Sequence, residues 1–316
     1  MKILFTCVGR RVELLQAFRE AAEFLKLELI LFGADVSDTA PALFFCDKKI
    51  VLPIIQDKNY IPLLLSICEN EKIDALIPTI DTDLMLLAEN KENFKKVGTQ
   101  VFVSSPDKIA ICRDKMLTAD FFRSCNLKAP TSFNEIDKYD LGFPAFIKPK
   151  DGSSSINAYK VHNQTELKTY AGSISDYIIQ PFINGIEYTV DVFCDLDGEP
   201  ILITPRVRLN VRAGEVLKTK IRQDSLIVNE TKKAISVFRP CGAITIQLIR
   251  DSRTGEDFFI EINPRFGGGA PLSMKAGAKS AEIMLRLLRG EHMKYIPEAA
   301  EDGAVFSRFD QSIRIM

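Results

Sequence analysis

Tryptophan is absent from the 316-residue sequence, and histidine occurs only at His162 and His292. Metal sites of clustered imidazoles, and nucleophilic catalysis that leans on a histidine base, have little to build on. The seven cysteines (Cys7, Cys46, Cys68, Cys112, Cys125, Cys194 and Cys241) stand singly, with no C-x-x-C pair and an odd total. That pattern argues against a disulfide framework and for a reducing, cytoplasmic setting. The longest apolar stretches, such as 29–32 and 63–65, fall far short of the roughly 18 residues of a bilayer span. A protein integral to a membrane is therefore not expected. Met1 to Val8 is apolar, but Arg10 and Arg11 end it before a signal-peptide core forms, so export is not expected either. With 41 Lys+Arg against 42 Asp+Glu the net charge is -1, which leaves no global basic field for nucleic acid or an anionic membrane. What is present, 46% hydrophobic and 26% charged residues, is the make-up of a globular chain about two domains long by the loose prior of ~150 residues each.

The first hundred residues alternate strand-like and helix-like segments: 2–8, 11–26, 28–34, 48–52, 59–71, 74–79, 83–95 and 100–103. This rhythm predicts a parallel sheet wrapped by helices. Such sheets often bind a dinucleotide at a glycine-rich first turn, but here the turn reads Cys7-Val8-Gly9-Arg10-Arg11-Val12. One glycine and two arginines argue against a nicotinamide dehydrogenase. Ser104-Ser105-Pro106 marks a boundary, because proline after a polar pair starts a helix more readily than it continues a strand. Beyond it the pattern predicts helices over 114–126, 165–171, 225–238 and 278–289, and strands over 143–148, 177–182, 243–250 and 257–262.

The densest signal is 258–269, Phe-Phe-Ile-Glu-Ile-Asn-Pro-Arg-Phe-Gly-Gly-Gly. On a strand Glu261 and Asn263 share a face, while Phe258, Ile260 and Ile262 point the other way. A hairpin centred near Thr254 sets Gln247 directly across from Glu261. Carboxylate and amide oxygens suit Mg²⁺, which keeps waters and takes further ligands from phosphates. Arg265 is placed to meet a transferring phosphoryl group as a planar cation. The alternative is a surface hairpin with a wet polar face, against which stands the glycine run, since it exposes backbone N–H groups to something small.

A second signal runs from Phe146 through Lys148-Pro149 to Asp151-Gly152-Ser153-Ser154-Ser155. Proline biases Lys148 to extended geometry at a strand end, and the loop offers N–H and hydroxyl donors to phosphate. Lys115 is a second candidate cation. In the third signal, Tyr177 to Phe182, the Gln180 carbonyl and the Phe182 amide would serve adenine because Pro181 lacks an N–H, and Glu187 would accept from ribose hydroxyls. The alternative there is an edge strand that tolerates proline.

In this order the pieces resemble the ATP-grasp superfamily, in particular the single-unit ligases of its carbamoyl-phosphate-synthase-like branch, over nearly the whole chain. The resemblance implies an α/β and α+β fold: a Rossmann-like pre-ATP-grasp domain (1–104), a small lid subdomain (105–183) and a C-terminal subdomain with the metal site (184–316). It implies metal ligands Gln247, Glu261 and Asn263, nucleotide contacts at Lys115, Lys148, Ser153, Ser154, Ser155, Gln180, Phe182 and Glu187, and catalytic roles for Arg265 and Lys148. The departure from the family pattern is the lid loop 151–155, which has one glycine.

The expected activity is ATP-dependent carboxylate–amine ligation through an acyl phosphate, with ATP, Mg²⁺ or Mn²⁺, and small-molecule carboxylate and amine substrates. A homodimer is the candidate assembly. One alternative is carbamate phosphorylation as in carbamoyl phosphate synthesis, which in the family pattern uses two fused units, whereas this chain has one metal motif. The other is an ATP-binding module without turnover. Arg206 and Arg208 sit two apart on a strand, as anion ligands or as a solvated face. Arg10 and Arg11 are candidates for substrate contact at the domain cleft, and Asp81 and Asp83 read as acids favouring a helix N-terminus.

Overall fold

The computed structural model describes residues 1–152 and 156–315; Ser153, Ser154 and Ser155 lie outside the described residues. The first unit contains β1 (Lys2–Thr6), α1 (Val12–Phe24), β2 (Ile30–Asp35), β3 (Lys48–Val51), α2 (Tyr60–Glu71), β4 (Ala75–Pro78), α3 (Leu84–Glu89), α4 (Lys91–Lys96) and β5 (Gln100–Val101). Its strands are parallel, in the order β3-β2-β1-β4-β5, as the strand–helix rhythm predicts. Alternate side chains of β1 leave on opposite faces. Leu4 packs with Tyr60, Leu64 and Leu84, whereas Ile3 and Phe5 join α1 and the C-terminal part of the chain. The single helix expected over 83–95 is two. Asn90 Nδ2 donates to the Leu86 carbonyl at 2.9 Å, and such local side-chain bonds compete with helix continuation.

Asp83 does not cap α3. It is fully buried and accepts from Thr6 Oγ1 at 2.7 Å and from the Tyr60 hydroxyl at 3.2 Å. Burial raises its carboxyl from 3.8 to about 6, against the pull of the Thr6 and Tyr60 hydrogen bonds. A carboxyl with a raised folded-state pKa favours folding in its protonated form, so its contribution is complete below the unfolded value and is lost as pH rises through about 6. The stability of the wild type relative to Asp83→Asn is therefore expected to grow by about 2 kcal/mol between pH 7 and pH 4. Parallel pH profiles in denaturant titrations of the two proteins would remove Asp83 as the source.

After α5 (Pro106–Arg113) and α6 (Lys115–Ser124) comes a three-stranded antiparallel sheet of β6 (Ala145–Pro149), β7 (Tyr159–Val161) and β8 (Tyr177–Pro181), with α7 (Gln164–Ala171) between the last two. Its order is β7-β6-β8. Ala145, Ile147, Val161 and Ile179 pack on Leu167 and Ala171 of α7. The opposite face therefore carries Phe146, Lys148, Lys160 and Gln180.

The rest of the chain forms β9 (Gly185–Cys194), β10 (Pro200–Arg212), β11 (Glu215–Ile221), α8 (Ser225–Phe238), β12 (Ala243–Asp251), β13 (Asp257–Asn263), α9 (Ala270–Lys275), α10 (Ser280–Leu288) and β14 (Val305–Ser307). Six antiparallel strands run in the order β13-β12-β9-β10-β11-β14. One face packs Val190, Ile246, Phe259 and Ile262 against Phe122 of α6 and Ile235 and Phe238 of α8. Strict alternation would group Phe258, Ile260 and Ile262. Instead Gln247 opposes Glu261 and Leu248 opposes Phe259, so Ile260 is the extra residue of a bulge. The bulge turns Phe259 into the core beside Ile262.

Three edge-on or stacked ring pairs tie the first unit to this sheet: Phe5–Phe18 at 5.0 Å, Phe18–Phe266 at 6.1 Å and Phe266–Phe193 at 6.2 Å. They anchor the chain at the residue before the three glycines.

Candidate functional site

The strand register lines up polar residues in two rows across the face of the six-stranded sheet opposite α6 and α8. One row is Glu261, Gln247, Thr189 and Arg206; the next is Asn263, Thr245, Asp191 and Thr204. Period-two alternation, preserved past the bulge, is what keeps both rows on one face. The pairing of Gln247 with Glu261 is the one expected from the hairpin.

At the β13 end of the rows, Asn263 Nδ2 donates to Glu261 Oε1 at 3.0 Å, and Asn263 Oδ1 accepts from Arg265 Nη2 at 3.2 Å. Arg265 also pairs with Asp81 at 2.6 Å, both side chains being nearly buried. Asp81 follows β4, so the first unit reaches directly into the site, and its role is not that of a helix-terminal acid. Among the described residues no three His, Cys, Asp or Glu side chains gather to hold a metal. Glu261 with the amide oxygens of Gln247 and Asn263 is a weak, oxygen-only donor set. It fits Mg²⁺ completed by water and phosphate oxygens better than a soft transition metal.

Lys148 on β6 and Lys115 at the start of α6 come to this end of the rows. Asp114 caps α6 through the Met116 and Leu117 amides, which fixes Lys115 in its first turn. Lys115 Nζ donates to the Gly152 carbonyl at 2.8 Å, and Arg113 pairs with Asp151 at 2.7 Å. Lys148 is buried, and among the described residues its ammonium makes no hydrogen bond; it lies 5.9 Å from the centroid of the Phe146 ring. Burial pushes its pKa down to about 8, helped by the Lys115 charge and opposed by Glu261. A cavity of about 20 Å³ lies between Asp81, Arg113, Lys115, Asp151, Glu261 and Asn263. Drug-sized ligands occupy pockets of roughly 300–1,000 Å³, so no nucleotide-sized space is open there while Lys115 bonds Gly152 and Arg113 pairs with Asp151.

The adenine reading of β8 needs a correction. The Phe182 amide donates to the Pro144 carbonyl at 3.1 Å, and Gln180 faces Phe146 of β6 on the same edge. Both backbone groups are turned inward. The outer edge of β8 exchanges bonds at Ile179 with Phe133, so by alternation the Pro181 carbonyl and the Ile183 amide point outward beyond it. The Gln180 side chain is buried and donates to Ser132 Oγ at 2.8 Å. Glu187 is half-exposed and pairs with Arg208 Nε at 3.2 Å.

Arg206 and Arg208 are not a solvated face. Arg206 is 2% exposed and is held by Asp191 at 2.8 Å, which also accepts from Ser273 at 2.6 Å. Gly269 lies against Arg206, and among the described residues the N–H groups of Gly267, Gly268 and Gly269 donate no hydrogen bond. None has a left-handed φ; the need is for close approach. A Cβ on Gly269 would lie 2.5 Å from Arg206 Nη2 and 2.8 Å from Val216. Because Asp191 pins Arg206, Gly269→Ala is expected to cost about 1–3 kcal/mol of stability and lower Tm by several degrees. At Gly268 the neighbours are the movable ends of Glu215 and Arg11, so Gly268→Ala should leave Tm nearly unchanged. Equal Tm losses in the two variants would contradict the pinning.

A family model described as a PylC-like N-terminal domain matches residues 3–102, and one described as an ATP-grasp domain matches residues 112–269. The chain is 25% identical over 317 residues to the carbamoyl phosphate synthase large chain, N-terminal section, of Aquifex aeolicus, covering 90% of this chain and 56% of that one. It is 28% identical over 173 residues to the D-alanine–D-alanine ligase of Bacillus anthracis, covering 46% and 54%. The chain thus spans about half the length of these relatives. The biotin carboxylase domain dimer of Hydrogenobacter thermophilus 2-oxoglutarate carboxylase, solved with MgADP, ADP and bicarbonate, superposes with a TM-score of 0.75 at 16% identity, covering 96% of this chain and 73% of that one.

Proposed function

Because this chain belongs to the ATP-grasp family, we propose that it uses ATP to join a carboxylate to an amine through an acyl phosphate. The observation that carries the reading is the convergence of Glu261, Gln247 and Asn263 with Arg265 and the lysines Lys115 of α6 and Lys148 of β6. A carboxylate oxygen attacks the γ-phosphorus, the bond to the β,γ-bridging oxygen breaks, and ADP leaves with that electron pair. The amine nitrogen then attacks the acyl carbon, the bond from that carbon to the phosphate oxygen breaks, and the amine proton passes to solvent.

In this reading Lys148 and Lys115 hold the phosphate oxygens, and Arg265 meets the moving phosphoryl group. The Gly267–Gly269 amides steady the oxyanion of the second step. Glu187 receives the ribose, and the Pro181 carbonyl with the Ile183 amide takes over the adenine pair first assigned to Gln180 and Phe182. Mg²⁺ on Glu261, Gln247 and Asn263, with Mn²⁺ as a substitute, neutralises phosphate charge when bound. The 151–152 loop must withdraw from Lys115 and Arg113 to admit the nucleotide, and its return excludes water from the acyl phosphate.

The test is a pairwise screen of amino acids and small carboxylates for ADP release with MgATP, followed by mass detection of a condensed product. ATP binding without ADP release in any pair would leave a non-catalytic module. Release with bicarbonate and ammonia alone would favour the carbamate reading, which the likeness to carbamoyl phosphate synthase supports. We divide the chain at 104/105 and 183/184 and place it in the cytoplasm as a homodimer. The seven free thiols support the compartment, and sedimentation analysis checks the assembly.

A further inference from the structure

Arg11 sits where the open sheet of the first unit reverses its strand order. The strand β1 lies between β2 and β4, and ligands of such sheets bind in the crevice outside the carboxyl ends of the strands at that point. The turn that carries Arg11 is held firmly: Cys7 and Gly9 take left-handed φ values of 52° and 45°, and the Gly9 amide donates to Asp35 Oδ2 at 2.8 Å. A non-glycine residue in that region is a local cost that functional turns often carry.

The guanidinium has five N–H donors. Among the described residues it makes one long hydrogen bond, to the Thr79 carbonyl at 3.3 Å, and one ion pair, to Glu215 at 3.9 Å. Its side chain keeps 21% of its exposure, so the guanidinium is neither fully buried nor saturated with protein partners. Gly268 lies against this group: a Cβ there would meet Arg11 Nη1 at 2.7 Å and the Glu215 carboxylate closer still, and among the described residues the amides of that turn donate no hydrogen bond. Burial and the neighbouring Arg265 charge both lower the proton affinity of Arg11. Arg11 and Arg265 are thus neighbouring cations beside the Gly268 turn, with the Glu215 and Asp81 carboxylates as their counter-charges. Arg10, next in sequence, is exposed.

We propose that Arg11 binds the carboxylate that is to be phosphorylated, gripping it with the guanidinium fork against the Gly267–Gly269 turn. The identity of the anion as the reacting acid rests on the ligase reading; the anion site does not. Saturation-transfer NMR of acetate, with the protein saturated by Mg²⁺ and a nonhydrolysable ATP analogue, reads the site without turnover. A signal is expected from the wild type and from Arg10→Met, and none from Arg11→Met. No signal from the wild type, an undiminished one from Arg11→Met, or equal loss in both variants overturns the proposal.

With an acid found by the screen, Arg11→Met should raise its KM roughly tenfold or more, leave the KM of MgATP within about twofold, and be partly rescued by Arg11→Lys, which restores charge without the fork. An unchanged KM for the acid overturns the assignment, as does an equal rise in both KM values. If no acid supports ADP release in the wild type, the ligase reading fails while the acetate measurement still decides the site.

Discussion

Glu261→Gln is expected to lower Mg²⁺-dependent ADP release by roughly 10³-fold, about 4 kcal/mol of transition-state stabilisation, with little change in Tm. Glu261 supplies the one formal negative charge in the row it shares with Gln247, Thr189 and Arg206. Glutamine keeps the shape and can still accept from Asn263 Nδ2, which donates to Glu261 Oε1 at 3.0 Å, so folding is spared. What is lost is the anionic oxygen that a hard divalent cation prefers over an amide. A second signature is independent of turnover. Glu261 raises the pKa of Lys148, and its loss leaves burial and Lys115 acting alone. Nucleotide affinity in the variant should therefore begin to fall at a lower pH than in the wild type. Unchanged ADP release at saturating Mg²⁺ would remove Glu261 from the metal site.

What could be read from the sequence follows how local each signal is. The opposition of Gln247 and Glu261 is set by a short hairpin around Thr254 and Gly255, and two strands joined closely admit few registers. The parallel first sheet likewise follows from repeated strand–helix alternation. The bulge at Ile260 carries no comparable sign, because alternation there is broken to bury Phe259, a requirement set by Phe122 on a distant helix 4.9 Å away. The ion pair of Asp81 with Arg265 joins residues 184 apart, and nothing local to either predicts it. The orientation of the Phe182 amide depends on which neighbour β8 pairs with. The strand has one on each side, at Phe146 and Phe133, and proline at 181 is compatible with either edge. Composition also hides the burial of Arg206 and Arg208, since alternating arginines look the same on a wet face as on one closed by a glycine turn.

The affinity for MgATP is expected to be highest below pH 8 and to fall by up to about tenfold per pH unit above it, with Lys148 as the titrating group. In the free protein, burial first and the Lys115 charge second push Lys148 down to about 8 from its ordinary 10.5, and Glu261 only partly offsets them. A lysine with a depressed folded-state pKa destabilises the fold while charged, by about 3 kcal/mol at neutral pH, and that cost is relieved as pH rises from about 8 towards 10.5. A phosphate oxygen beside the ammonium favours the charged form, so the pKa rises on binding. Between pH 8 and 9, calorimetry in buffers of different ionisation enthalpy should therefore detect uptake of up to about one proton per nucleotide. Lys148→Met removes both sides of this linkage. The nucleotide-free variant should be more stable than the wild type at pH 7, because an unpaired buried charge is replaced by an apolar chain of similar length. Its MgATP affinity should be roughly 10–100-fold weaker and flat with pH. A wild-type affinity that stays level from pH 7 to 9.5 would mean that this ammonium does not touch phosphate.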